Sequence, residues 1–207
     1  MDKQKSRLLA AIRSQGIDDD RVLEALERVP RELFVPPDER SLSYYNHPLP
    51  IGHGQTISQP YTVAFMAELL DPRPGNYVLE IGGGSGYNAA VLRELVGSSG
   101  KIITIERIPE LADMAQYNLH QAGYEDVKVI QGDGKVGHPD ASPYDRIMVT
   151  AQTNEIPSKL IEQLKDGGRM VIPLSFEGFC SMTLFIKDSL GQHSMTHHGA
   201  FLFVPLI

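Results

Sequence analysis

The 207-residue sequence contains a single cysteine, Cys180, and this scarcity limits the chemistry that the chain can use. One thiol forms no internal disulfide, and the cysteine spacings typical of zinc sites cannot occur. Proteins without disulfides are typical of reducing compartments, so we expect a cytoplasmic protein.

Long apolar segments are also missing from the sequence. The first apolar run is interrupted at Arg13, and a later one, around residues 63–70, contains Glu68. The first is too short for the core of a signal peptide and the second too short to span a bilayer. We therefore expect a soluble protein that is neither secreted nor bound to a membrane.

Basic residues are fewer than acidic ones, 19 against 26, which gives a formal net charge of −7. No cluster of Lys and Arg offers a stripe that could follow a phosphate backbone. Nucleic acid is therefore not an expected partner.

The first 60 residues differ in character from the rest. Apolar residues recur at helical spacing within residues 8–12 and 22–29, with N-cap candidates at 18–20, which predicts two short amphipathic helices. Residues 36–60 are rich in Pro, Gly, His and Tyr without a sustained period, which predicts a long functional loop or a disordered segment. We expect one domain over residues 1–207, in which 1–60 form a covering lid and 61–207 the core.

After Pro74 the pattern alternates between strands and helices, which indicates a parallel sheet with crossover helices. The predicted fold is α/β and Rossmann-like, with a seven-stranded, mostly parallel sheet, helices on both faces and an N-terminal helical extension. Strands are predicted at 76–81, 101–106, 127–131, 144–150, 168–174, 180–187 and 200–205, and helices at 86–97, 109–122 and 156–165.

A glycine-rich turn follows the first predicted strand of this core. The strand ends near Glu80, and Gly82, Gly84 and Gly86 come directly after it. Glycine adopts positive φ at little cost and lets a ligand approach backbone N–H groups. A carboxylate beside the loop disfavours a pyrophosphate but suits a cationic sulfonium cofactor.

Two further acids lie at equivalent places on the predicted sheet. Glu106 ends the second strand and Asp133 follows the third, each about one βαβ unit after the preceding acid. Ligands of open α/β sheets bind beyond the carboxyl ends of the strands. We expect Glu106 to bind a ribose diol, Asp133 an adenine amino group, and Glu80 the amino end of the cofactor or the loop itself. Asp145, near the start of the fourth strand, is assigned a structural role.

Each of these features has a simpler interpretation when taken alone. A glycine cluster often only joins a strand to a helix, and the spacing here also satisfies the loose pattern of nicotinamide cofactors. Asp133 lies in Gly-Asp-Gly, which is also turn chemistry. The combination of loop, flanking elements and Glu106 favours a bound adenosyl cofactor.

Five segments together resemble the protein-L-isoaspartate O-methyltransferases over nearly the whole chain. They are P-L-P-I-G-H-G-Q-T-I-S-Q-P from Pro48, V-L-E-I-G-G-G-S-G-Y-N-A-A from Val78, T-I-E-R-I-P-E-L-A from Thr104, G-D-G from Gly132 and P-Y-D-R-I-M-V-T-A from Pro143. The T-I-S-Q-P element is specific to that family, whereas the glycine loop is shared by many S-adenosylmethionine enzymes.

The resemblance implies methyl transfer from S-adenosyl-L-methionine to the α-carboxylate of L-isoaspartyl residues, and in some members of D-aspartyl residues, in damaged proteins. The methyl ester then collapses to a succinimide without enzymic help, and part of that reopens as aspartate. The family's active-site serine matches Ser58, and its cofactor-contacting positions match Gln55, Thr56, Ile57, Ser58, Glu106, Asp133 and Gly134. It also implies an exchange of the last two strands relative to other methyl-transferring folds. We expect a monomer.

The chemistry agrees with this resemblance. A carboxylate with a pKa near ~4 is already ionised at neutral pH, so the acceptor needs no general base. Ser58 is therefore interpreted as a positioning residue that donates to the acceptor carboxylate. A serine beside the proline that begins a helix is also a common N-cap, and the sequence alone slightly favours that simpler role.

Histidines raise the alternative of a metal site, which we do not favour. His193 and His197 are spaced as helical ligands would be, but no Asp, Glu or Cys lies among them, and a solvated hairpin is the better interpretation. No metal is expected.

The sequence departs from the family pattern at Gly83, where Thr or Ser is usual, at Gln152 to Asn154, where small residues are usual, and at residues 45–47, where an acid is usual. Two other functions stay open: methyl transfer to RNA or a small metabolite, and cofactor binding without catalysis.

Overall fold

The structure, a computed structural model, describes residues 2–176 and 179–206. The strands in these ranges are β1 (Leu49–Gly52), β2 (Gln55–Ile57), β3 (Tyr77–Ile81), β4 (Lys101–Glu106), β5 (Lys128–Gln131), β6 (Tyr144–Val149), β7 (Leu164–Phe176), β8 (Phe179–Lys187) and β9 (His193–Phe201). The α-helices are α1 (Asp2–Ser14), α2 (Asp20–Arg28), α3 (Pro60–Leu70), α4 (Tyr87–Val96), α5 (Pro109–Gln121) and α6 (Ser158–Gln163). Short 3-10 turns lie at Arg31–Leu33, Pro37–Leu42 and Pro139–Ala141.

Strands β3 to β9 form one sheet in the order β5-β4-β3-β6-β7-β8-β9. Neighbours from β5 to β7 pair in parallel, and β8 and β9 are added as antiparallel strands. The chain crosses from β5 at one edge to β6 on the other side of β3, so the strand order reverses at β3. A crevice opens at such a point, beyond the carboxyl ends of the strands. The predicted α/β class and seven-stranded, mostly parallel sheet are confirmed.

The core lies on both faces of this sheet because β3 alternates between them. Val78 packs with Val91 and Leu92 of α4, whereas Leu79 and Ile81 pack on the opposite side, in the cluster that contains Leu160 of α6. Because both faces of the sheet are buried, the sequences of its parallel strands are continuous apolar runs.

The N-terminal helices were predicted from their apolar periodicity, and both are present. Asp19 caps α2 by accepting a hydrogen bond from the Arg21 N–H at 2.9 Å. Ile12, Val22 and Leu26 are buried in the same cluster as the α4 residues. These helices pack onto the helical layer, so the lid expected over the crevice does not include them.

The predicted loop over residues 36–60 contains regular structure that the sequence did not reveal. Strands β1 and β2 pair antiparallel across a tight turn in which Gly52, His53 and Gly54 all have positive φ. The strands have only four and three residues, too few to show a period. The expectation of an irregular loop is therefore wrong for residues 49–57.

The last predicted strand is also misplaced. Strand β9 covers His193–Phe201 rather than residues 200–205, and the turn expected around His193 to His198 lies earlier, where Asp188 accepts hydrogen bonds from Leu190 and Gln192. Strand β9 is the edge of the sheet and mostly exposed, so its sequence has no apolar alternation. No helix in residues 2–176 and 179–206 is both long and apolar enough to cross a membrane.

Candidate active site

The crevice lies beyond the carboxyl ends of β3, β4 and β6. The loop after β3, the end of β4 and the segment Gln55–Ser58 form its walls, and the chain near Val204 to Leu206 completes them. Eight of the predicted site residues line this crevice: Gln55, Thr56, Ile57, Ser58, Gly82, Gly84, Glu106 and Gly134.

The glycine loop is held by backbone hydrogen bonds to the neighbouring strand. The N–H groups of Gly82 and Gly83 donate to the Ile105 carbonyl at 2.8 and 3.1 Å. Gly82 has φ +92, and a Cβ there would collide with the Thr150 hydroxyl, which itself donates to the Gly82 carbonyl at 2.7 Å. Glycine is required here by both the backbone conformation and the close approach of β6.

Gly83, the departure from the family pattern, has a steric explanation in this chain. A Cβ at residue 83 would lie 2.6 Å from the hydroxyl oxygen of Thr104 and 3.6 Å from the Glu106 Cβ. Thr104 is fully buried, so it has little room to move. The threonine on β4 therefore occupies the space into which a side chain at residue 83 would point.

Glu106 holds the loop in place with its carboxylate. One oxygen accepts the Gly84 N–H at 2.8 Å and the other accepts the Ile108 N–H at 2.9 Å. The residue is 7 % exposed but lines the crevice. Each carboxylate oxygen has a second lone pair, so both can still accept hydroxyl donors from a ligand.

The hairpin places Ser58 at the mouth of the crevice, just before α3. Its carbonyl accepts a hydrogen bond from Arg31 at 3.0 Å, while its hydroxyl makes no hydrogen bond with the described residues. The N-cap of α3 is Gln59, whose side chain makes no capping hydrogen bond, and the Tyr61 N–H in the first turn donates to the Asn46 side chain at 3.0 Å instead. The capping role considered for Ser58 is therefore wrong, and its hydroxyl is available to a ligand.

A second groove meets the crevice at this point. Thr56, Ser58, Thr150 and Val204 line both cavities. The groove runs from them along an aromatic wall. The wall includes Tyr61, Phe65, Phe201 and Phe203, with 5.2 Å between the ring centres of Phe65 and Phe201.

Glu80 does not reach the crevice, in contrast to its prediction as a cofactor ligand. It lies on the same face of β3 as Val78, is fully buried, and accepts a hydrogen bond from the Asn88 amide of α4 at 2.7 Å. Burial raises the pKa of Glu80 to about 7; the nearby Glu106 charge raises it too, whereas the hydrogen bond from Asn88 opposes the shift. Because strand residues alternate between faces, Glu80 faces α4 and reaches the crevice only through Asn88, which lines it.

Gly86 and Asp133 also lie outside the crevice wall. Gly86 is the N-cap of α4 with φ +87, and a Cβ there would press on the Ala115 carbonyl at 3.1 Å, so close helix packing requires this glycine. Asp133 is exposed and accepts the Lys135 N–H at 2.9 Å, which is the turn role considered as its alternative. Its neighbour Gly134 does line the crevice.

Sequence reasoning missed Thr150 and the C-terminal segment as parts of the site. The Gln152 N–H donates to the Val204 carbonyl at 2.8 Å, and the Leu206 N–H donates to the Gln152 carbonyl at 2.7 Å. These bonds fix the C-terminal segment against the crevice. Gln152, a departure from the family pattern, acts here through its backbone, which a sequence motif does not reveal.

The remaining predicted residues lie away from the crevice. Asp145 begins β6, where it accepts the Tyr77 N–H at 2.9 Å and pairs with Lys165 at 3.0 Å. Burial opposes ionisation of Asp145, but these partners outweigh it and lower its pKa. On β9, the ring nitrogens of His197 and His198 lie within 3.0 and 2.8 Å of the Thr183 and Thr196 hydroxyls. Among residues 2–176 and 179–206, no group of three or more metal-ligating side chains is present.

The site residues fit an adenosyl cofactor. Glu106 offers two acceptor oxygens at the crevice wall, and Gly82 and Gly84 line the same crevice with backbone alone. A carboxylate bound to the loop can accept hydrogen bonds from a ribose diol. The same negative charge repels a second anion such as a pyrophosphate.

Solved structures agree with this interpretation. A solved protein-L-isoaspartate O-methyltransferase has a TM-score of 0.88 and 32% identity to this chain, with 97% of this chain and 65% of that chain covered. A Plasmodium falciparum protein in complex with S-adenosyl-L-homocysteine has the same TM-score at 24% identity, covering 99% and 98%, and supports the fold alone. Fold and crevice together define an S-adenosylmethionine-dependent methyltransferase.

The family within this class follows from the sequence comparisons. Residues 3–207 match the family described as Protein-L-isoaspartate(D-aspartate) O-methyltransferase (PCMT). A protein-L-isoaspartate O-methyltransferase of Methanopyrus kandleri is 52% identical, with 99% of this chain and 92% of the relative covered. One from Methanothrix thermoacetophila is 50% identical, with 99% and 95% covered. The chain belongs to the PCMT family, and the resemblance stated from its motifs is confirmed.

Proposed function

We propose that the protein transfers a methyl group from S-adenosyl-L-methionine to the α-carboxylate of L-isoaspartyl residues, and of D-aspartyl residues, in damaged proteins. The observation that supports this most directly is the meeting of two cavities at Ser58. One has the features of an adenosyl site, and the other is an open groove with an aromatic wall.

The residues of the first cavity bind and orient the cofactor. S-adenosyl-L-methionine, when bound, supplies a methyl group that is already activated on a cationic sulfur. Glu106 binds the ribose hydroxyls, Gly82 and Gly84 allow close approach to the backbone, and Gln55 to Ile57 cover the crevice and exclude water. Gly134, in the crevice wall, is proposed to lie beside the adenine ring, and its neighbour Asp133, outside the wall and in a turn, is proposed to accept from the adenine amino group with the carboxylate oxygen that does not bind Lys135.

Ser58 positions the acceptor. The α-carboxylate is ionised at neutral pH, so the site only has to hold one oxygen in line with the methyl carbon. The Ser58 hydroxyl has no partner among the described residues and lies between the two cavities. It therefore donates a hydrogen bond to the oxygen that does not react and fixes the orientation of the carboxylate.

The groove determines which proteins are accepted. Its aromatic wall is formed by α3, β9 and the segment after β9, and an acceptor segment is proposed to lie along it in extended form. Frayed or unfolded segments reach such a site more readily than compact ones. Transfer to these segments produces a methyl ester, which closes to a succinimide without further help from the enzyme.

The test is transfer of a labelled methyl group to matched peptides. An isoaspartyl peptide should be labelled, its aspartyl twin should not, and a D-aspartyl twin should be labelled more slowly. A mixed tRNA sample should take up no label. Binding of S-adenosyl-L-homocysteine without transfer to any peptide would instead favour a cofactor-binding module.

We also propose that the chain acts as one domain and as a cytoplasmic monomer that binds neither nucleic acid nor membranes. The shared core of the N-terminal helices and the sheet supports the single domain. The single cysteine and the net charge of −7 support the compartment and the absence of nucleic acid. Light scattering of the purified protein tests the oligomeric state.

A further inference from the structure

Arg31 carries a buried charge that the proposed mechanism does not yet use. The residue follows Val29-Pro30 in a 3-10 turn, is 1 % exposed, and is among the largest fully buried side chains described. Arginine stays protonated in proteins, even though burial lowers the pKa of Arg31 against the opposing influence of Tyr87 and Tyr44. The fold therefore buries a full positive charge.

No carboxylate of the described residues lies within 4.0 Å of this guanidinium. Its Nε donates to the Ser43 carbonyl at 2.9 Å and its Nη2 to the Ser58 carbonyl at 3.0 Å. Nη1 has no hydrogen-bond acceptor in residues 2–176 and 179–206. Carbonyl dipoles satisfy donors but do not cancel a net charge, and buried charges normally have a counterion.

The guanidinium also links the two halves of the site. Its carbon lies 4.7 Å from the centre of the Tyr87 ring, and Tyr87 is the first residue of α4 and lines the cofactor crevice. On the other side it binds the backbone of Ser58, whose hydroxyl lies between crevice and groove. The guanidinium is therefore hydrogen-bonded to the residue whose hydroxyl is proposed to hold the acceptor carboxylate.

We propose that Arg31 is a positioning residue that makes the acceptor subsite selective for an anion, its buried charge being completed by the α-carboxylate of the acceptor. The inference rests on the proposed function, because it assumes that the acceptor lies beside Ser58. Arg31 acts through Ser58 and through its electric field, which is strong at short range in a site with little water. It favours an ionised acceptor over a neutral one of the same shape.

The test compares two ligands that differ in one charge. An isoaspartyl peptide is the anionic ligand, and the same peptide with its α-carboxyl as a primary amide is the neutral one, measured as an inhibitor. Methylation of the isoaspartyl peptide by the unmodified enzyme is measured first. If the enzyme does not methylate it, the proposed function is contradicted, and the role of Arg31 is not what failed. The preference for the acid is then measured in Arg31→Met and Arg31→Lys, with Arg28→Met as control.

Arg28 is a suitable control because it carries the same charge on α2, with a side chain 60% exposed. We expect Arg31→Met to lower the preference for the acid by about tenfold or more and to raise KM more than it lowers kcat. Arg31→Lys, which keeps the charge, should retain most of the preference, and Arg28→Met should retain all of it.

If Arg31 had only a structural role, its replacement would weaken the binding of both ligands equally. An unchanged ratio of acid to amide affinity in Arg31→Met therefore overturns the proposal, even if activity falls. Arg31→Gln, which keeps a donor without the charge, replaces the Met variant if that variant does not fold. If neither neutral variant folds, the Arg31→Lys variant provides the test. Loss of the preference for the acid, although the positive charge is kept, would contradict the proposal. A preference that is kept would support it.

Discussion

The hydroxyl of Thr150 and the Cα of Gly82 lie so close that a methyl group on residue 82 would occupy the position of the hydroxyl. Gly82 belongs to the loop after β3 and Thr150 follows β6, so this contact fixes the distance between two neighbouring strand ends. Both residues line the cofactor crevice.

Gly82→Ala should therefore lower the stability of the protein by more than the cost of placing an alanine at positive φ. An alanine with positive φ costs about 1–2 kcal/mol. Gly123→Ala is the matched control, because Gly123 has φ +83 and its new methyl group would meet no atom of a non-adjacent residue within 4 Å. We expect a larger loss of stability for residue 82 and at least about tenfold weaker binding of S-adenosyl-L-homocysteine. Equal thermal unfolding temperatures with unchanged affinity would contradict the steric explanation. Calorimetry measures both quantities.

Glu106→Gln should weaken cofactor binding without unfolding the protein. The amide retains one acceptor oxygen, so its NH₂ group faces the N–H of either Gly84 or Ile108. The amide also offers the ribose hydroxyls one acceptor oxygen where the carboxylate offers two, and loss of a hydrogen bond to a charged acceptor is worth about 1.5–3 kcal/mol, or about tenfold to hundredfold in affinity. Titration calorimetry with S-adenosyl-L-homocysteine measures the loss. Glu110→Gln, an exposed acid in the first turn of α5, should bind as the unmodified protein does, and similar affinities for both variants would argue against the role of Glu106.

Glu80 should make stability depend on pH. Burial raises its pKa from an ordinary value of 4.5 to about 7, so the folded protein holds a proton there that the unfolded chain releases. This contribution is complete below about pH 4.5 and is lost as the pH rises through 7, with a total of about 3 kcal/mol. Glu80→Gln removes the dependence, so its urea stability relative to the unmodified protein should increase between pH 5 and pH 8.

The control for this prediction is Glu27→Gln, an exposed acid on α2. Its difference from the unmodified protein should stay constant over the same range. If the Glu80→Gln curve runs parallel to that of the unmodified protein, Glu80 is ionised in the folded state and its burial is compensated.

The sequence allowed the sheet to be predicted because β3, β4 and β6 are buried on both faces and read as apolar runs between glycine and proline residues. Edge strand β9 could not be located in this way, because one side of an edge strand faces water and its residues need not alternate. The β1–β2 hairpin was not predicted because its strands are too short to show an alternation of apolar and polar residues.

The site was predicted where side chains act at the ends of strands, as Glu106 does. It was not predictable where the face of a strand decides the role, because Glu80 and Glu106 both end apolar strands, yet only Glu106 lines the crevice. Thr150 and Val204 enter the site through tertiary contacts between distant segments, and no local pattern encodes those contacts.

Ser58→Ala tests the central claim, that one hydroxyl between two cavities orients the acceptor. The hydroxyl makes no hydrogen bond with the described residues, so its loss should leave the unfolding temperature and the affinity for S-adenosyl-L-homocysteine unchanged. Ser189→Ala, in the exposed turn after β8, is the control.

The decisive measurement is kcat/KM for methylation of an isoaspartyl peptide by the Ser58→Ala variant. Loss of a hydrogen bond to a charged acceptor is worth about 1.5–3 kcal/mol, so we expect a fall of about tenfold to hundredfold with cofactor binding intact. A value equal to that of the unmodified enzyme would contradict the claim and would leave the junction of the two cavities without a functional hydroxyl.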